Sequence, residues 1–178
     1  MSDSISVDFH HPTNVGILTY LGSPERLAKS VSEARHLPSC SPSSVNAPYM
    51  KLGSHPDLVA RLWDEVTVKL PVKCQWIVYG MPVLVNPSSG IIFAFGGGTH
   101  TYAFRLPPKE HQEAVQTGAK NIYQYPAIPS LKIQASTLDL DTIGKEWIFG
   151  SWLKNEENWC LAAYNFADGT IWRSHENQ

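Results

Sequence analysis

The order of signals between Tyr102 and Ala167 restricts the fold more than any other feature of this chain. His100 to Arg105 is aromatic and alternating, as a half-buried strand requires. Leu106-Pro107-Pro108 ends that strand and opens a helix, because proline fits the first helical turn. This helix carries Ala114 and Val115 and stops at Gly118. Asn121 to Tyr125 reads as a short strand, residues 126–144 as a loop, and Glu146 to Phe149 as the last strand. Asn155 is placed to cap a final helix, whose positive N-terminal end suits Glu156 and Glu157 and which Gly169 closes. Trp159, Ala162, Ala163 and Phe166 form its apolar face.

Upstream, His55-Pro56-Asp57 begins a helix with Leu58, Leu62 and Val66 at helical spacing. Cys74 to Tyr79, Val83 to Val85 and Ile91 to Phe95 then read as strands. Their connections, Met81-Pro82 and Asn86-Pro-Ser-Ser-Gly90, are too short for parallel crossovers. From His55 onward the order is helix, about three strands, helix, two strands, helix. It predicts an α+β domain, with an antiparallel sheet and helices on one face. Residues 1–54 read as an N-terminal extension with one helix, started by Ser23-Pro24-Glu25 and stopped by Pro38. Val15 to Leu21 is an apolar run that fits a strand or the lead into a helix.

The 178 residues suffice for one domain with a real core. Residues 1–54 carry four basic and four acidic groups, and the rest ten and twelve. A net charge of −2 lacks the electrostatic footprint of a strong nucleic-acid binder. Cys40, Cys74 and Cys160 are isolated and odd in number, which suits reduced thiols in the cytosol. The N-terminus is acidic without an apolar run, and no segment approaches a membrane span.

The block Phe104-Arg105-Leu106-Pro107, the Gly118-Ala119 helix end, Glu146-Trp147-Ile148 and the terminal helix resemble the TfoX N-terminal domain and the related MmcQ/YjbR-like proteins. Tyr79-Gly80-Met81-Pro82 and Gly90-Ile-Ile-Phe-Ala94 sit where that pattern has its early glycine and its hairpin. The resemblance spans about residues 55–167 and implies a small α+β fold. It also implies a regulator or DNA-binding protein without a catalytic motif. Residues 126–144 are longer than the family pattern, and residues 1–54 have no counterpart in it.

Gly96-Gly97-Gly98 precedes a strand and lacks a following Gly-Lys-Ser/Thr, so it reads as a hairpin turn rather than a phosphate loop. The histidines lack ligand spacing, and no metal or cofactor is expected. Cys160 falls beside the apolar face of the last helix, as a buried structural thiol would. The candidate binding residues are His100, Tyr102, Arg105, Trp147 and Trp152. Arg105 is the one charge in the strongest motif, able to meet an anionic partner but expected to point to solvent. Trp147 and Trp152 suit a groove, though core packing is the plainer role. His100 and Tyr102 share one strand face and Arg105 takes the other, which works against a single site made of all three.

These observations predict a non-catalytic cytoplasmic binding or regulatory module. The expected partner is a protein, with a homodimer as one form of it, and contact through an exposed sheet face or aromatic edges. A nucleic-acid-binding regulator is the less favoured alternative. A small-ligand protein or enzyme using the His100/Tyr102 face is the third.

Overall fold

The computed structural model describes residues 7–22, 40–42, 55–97, 101–121, 144–150 and 155–168. In chain order the elements are α1 (Pro12–Leu21), β1 (Cys40–Pro42) and α2 (Pro56–Ala60), which runs on into a π turn (Arg61–Glu65). Then come β2 (Gln75–Val78), β3 (Met81–Val85), β4 (Ile92–Gly97), β5 (Thr101–Arg105) and α3 (Pro108–Gln116). β6 (Lys120–Asn121), β7 (Trp147–Gly150) and α4 (Glu156–Ala167) complete the set. The fold is α+β, with one antiparallel sheet ordered β1-β2-β3-β4-β5-β7-β6. Between His55 and Pro107 the described residues form four strands where about three were expected, and the first turn falls at Tyr79-Gly80 rather than at Met81-Pro82, which belongs to β3.

The three helices expected on one face are there. Leu58, Leu62 and Trp63, Ala114 of α3, and Trp159, Cys160, Ala163 and Ala167 of α4 share one core with Leu84, Phe93, Ala94, Tyr102, Phe104 and Ile148. A bulge lets Phe93 and Ala94 face this core together, since Leu84 pairs with Ala94 while Val85 pairs with Ile92.

The other face is not exposed. α1 covers it, packing Ile17, Leu18, Tyr20 and Leu21 on Trp76, Val83, Phe95, Trp147 and Phe149. Phe95 is the hub, with ring centroids 5.9 Å from Tyr20 and 5.4 Å from Trp147. Residues read as an N-terminal extension therefore supply a helix and a strand of the same fold. The helix expected after Ser23 lies outside the described residues. Val15 to Leu21 resolves as helix because His11-Pro12 caps it, His11 Nδ1 accepting from the Thr13 N–H at 3.1 Å. His55-Pro56 repeats the device on α2, with Nδ1 accepting from the Asp57 N–H. Asn155 does not cap α4 with its side chain. It takes a left-handed φ of 61°, which Asn tolerates, and its carbonyl accepts from the N–H groups of Asn158 and Trp159.

One turn ties the layers together. Asn86 Oδ1 accepts from the N–H groups of Ser88 and Ser89, and its Nδ2 donates to Tyr164 O of α4 at 3.2 Å. Ser89 Oγ donates to Ala167 O at 2.7 Å. From the opposite face, the fully buried Asn14 of α1 donates to Gly90 O and Asp8 O, both at 2.8 Å. Its Oδ1 accepts from the Ile92 N–H at 2.9 Å.

A second tie joins the end of α1 to the β2–β3 hairpin. Tyr79 and Gly80 both have positive φ, 51° and 77°, the twist that two-residue hairpins favour. A Cβ on Gly22 would meet the Tyr79 ring at 2.8 Å. Gly22 itself has an ordinary φ of −93°, so alanine there offends only the ring. Gly22→Ala is expected to cost about 1 kcal/mol through overpacking, and almost nothing once Tyr79 is also changed to Gly. Urea melts of the two single variants and the double variant measure that coupling. Additive effects would contradict the contact.

Candidate functional site

The five residues singled out in the sequence do not meet at one surface. His100 and Trp152 lie outside the described residues. Tyr102 is fully buried in the helix-side core and Trp147 in the α1-side core, so neither lines a groove. Arg105 corrects the solvent-facing expectation, being only 5% exposed. Its guanidinium lies 4.2 Å from the Phe166 ring centroid, a cation–π contact at the last turn of α4. The negative end of that helix favours a cation there. Burial lowers its pKa, and the Glu146 carboxylate offsets this in part. His111 stands nearby in sequence on α3, and burial lowers its pKa more than the Trp147 carbonyl and Glu146 raise it. Arg105 Nη1 and His111 Nε2 are buried without hydrogen bonds.

The sequence reading missed the polar cluster of Arg61, Glu65, Tyr102 and Glu156, because its members are distant in the chain. Arg61 opens the π turn, where the Val66 N–H reaches back to Arg61 O. Its guanidinium donates to Glu156 at the start of α4 and to Glu65 one turn along. The phenol of Tyr102 lies close enough to feel both Arg61 and Glu156. Burial pushes Tyr102 far up, and Glu156 adds to the rise. The two ion-pair partners carry opposite messages. The Glu156 hydrogen bond raises Arg61, as a stabilising pair would, yet Glu156 is also raised because burial outweighs its bond to Arg61. The carboxylate decides, since its side chain is 1% exposed while that of Arg61 is 30% exposed. The pair therefore ties the π turn to the start of α4, and the cost of burying the carboxylate works against its attraction to Arg61.

A sign follows for pH. A carboxyl group raised in the folded state holds its proton more tightly there than in the unfolded chain. Its contribution to stability is full below the ordinary carboxylate value of 4.5 and is lost as pH rises through the folded value. Glu156→Gln should flatten this dependence. Denaturation midpoints measured from acid to neutral pH should show the variant gaining on the parent as pH rises. A constant difference would contradict the burial of Glu156.

Cys74 and Cys160 are free buried thiols of the same core. Burial pushes Cys74 to about 12 and Cys160 higher still, so neither presents a thiolate. Among the described residues no group of three His, Cys, Asp or Glu side chains is placed to hold a metal ion.

What the described surface does offer is the segment joining the π turn to β2. Val68 is 70% exposed and Val72 46%, with Pro71 exposed between them and Leu70 half-buried. Thr67, Leu70, Pro71, Val72, Lys73, Cys74 and Gln75 line an open depression of about 330 Å³. The π turn shapes it. Trp63 O accepts from Thr67 Oγ1 and from Gln75 Nε2, both at 2.8 Å. These bonds fasten both ends of the segment and leave its aliphatic side chains projecting.

No protein-family model, no curated protein and no solved structure matches this chain.

Proposed function

We propose that this chain is a non-catalytic cytosolic binding module, regulatory in role, that engages a protein partner through the segment Thr67–Gln75. The observation that carries this reading is the exposure of Val68 and Val72 around an open depression, on a backbone tied down at Trp63 O. Exposed aliphatic groups on a fastened segment favour association, because burying them against a partner releases apolar surface from water without first ordering the chain. The polar cluster of Arg61, Tyr102 and Glu156 suits an internal strut better than a reaction centre, since two of its three side chains are sealed from solvent. Full burial of Tyr102 also works against a ligand site on the His100/Tyr102 face. The nucleic-acid alternative remains disfavoured by the net charge.

The test is affinity capture and cross-linking from native cells with the parent chain and with a Val68→Asp/Val72→Asp variant. Both substitutions fall on exposed positions, so the denaturation midpoint should hold. Partners retained by the parent should be lost by the variant. An unchanged set of partners overturns the reading.

A further inference from the structure

The charges around this surface narrow its partner. Lys69 and Lys73 are exposed on either side of Leu70-Pro71-Val72, and they are the only charged residues from Val66 to Trp76. Neither is neutralised by a described carboxylate. Lys69 reaches the amide oxygen of Asn158, which leaves its charge intact. The nearest acid with a described partner, Glu65, is taken up by Arg61. The surface thus combines aliphatic side chains, an open depression and two lysines that no described carboxylate pairs.

Resting on the binding reading above, we infer that Thr67–Gln75 takes a peptide segment carrying an aliphatic side chain next to an acidic one. The aliphatic group enters the depression beside Leu70 and Val72, and the carboxylate meets Lys69 or Lys73. Charge complementarity of this kind sets partner choice and association rate more than raw affinity. A peptide fits better than an anionic membrane for two reasons. The surface is a depression lined by Lys73 rather than a flat face, and two lysines alone give only weak attraction to a lipid surface.

Selection of a phage-displayed library of random short peptides on the immobilised full chain tests this. The expected consensus joins Asp or Glu to Leu, Ile or Val. Synthetic copies should bind about tenfold more weakly to a Lys69→Glu/Lys73→Glu variant and more weakly as salt rises. Peptides with Lys in place of the acid should regain binding to that variant. Peptides that lose binding to Val68→Asp/Val72→Asp but ignore the lysine reversal would overturn the acidic partner and leave the binding surface standing. Peptides indifferent to the valine substitutions would overturn both. Failure to enrich any peptide, with retention only on phosphatidylserine vesicles, would replace the peptide by a membrane.

Discussion

Trp159→Ala is expected to lower stability by about 3–5 kcal/mol, the largest effect of a single substitution considered for this chain. The indole is 7% exposed and sits on the face of α4 that meets the sheet. Its neighbours on that face are Cys160, Ala163 and Ala167, all small. Small neighbours cannot swing in to fill the space, so the lost transfer energy is joined by the energy of a cavity. Guanidinium melts give the measurement, with Val15→Ser as the contrast. Val15 is 47% exposed on the outer side of α1, and its substitution should stay within about 0.5 kcal/mol. A Trp159→Ala midpoint equal to the parent's would mean that α4 packs by another face.

Asn14→Ala should cost about 2–4 kcal/mol, out of proportion to the few atoms removed. The amide makes three hydrogen bonds, and the Ile92 N–H loses its acceptor in the variant. Gly90 O keeps the Asp8 N–H as a partner, so the orphaned donor dominates the loss. Asn14→Asp separates the contributions. It keeps an acceptor for Ile92 but turns a carboxylate toward the carbonyl oxygens of Asp8 and Gly90. At neutral pH it should be worse than alanine, because a buried charge faces two acceptors. On acidification the carboxyl group gains a proton it can donate, and the deficit should shrink. Melts of both variants at neutral and acidic pH decide the matter. If Asn14→Asp outperforms Asn14→Ala at neutral pH, the Asn14 amide does not donate to these two carbonyls.

Local signals carried the α+β class. Proline and glycine punctuation, helical spacing after His55 and Pro107, and short turns that forbid parallel crossovers all act within a few residues. They therefore survive in the sequence. The exact place of the turn at Tyr79-Gly80 was not legible, because the proline of Met81-Pro82 is the stronger local breaker and an aromatic residue is unusual at positive φ. The role of α1 was not legible. Val15 to Leu21 is a continuous apolar run without a helical stripe, and its covering of the second sheet face depends on Phe95 and Trp147, far along the chain.

Among the described residues after His55, the sequence by itself determined where the helices and most strands lie, since breakers and apolar periods are local, but not the π turn at Arg61–Glu65 or the start of β3 at Met81. Only the tertiary structure decided where the charges went. Arg105 looked solvent-facing because exposed strand ends usually carry charge, yet the Phe166 ring and the end of α4 close over it. Arg61 and Glu156 meet across 95 residues of sequence, and no local pattern encodes that distance. The exposed Val68 and Val72 were likewise indistinguishable in sequence from the buried valines of β3. A side chain's exposure is set by what the rest of the chain lays over it, not by its own identity.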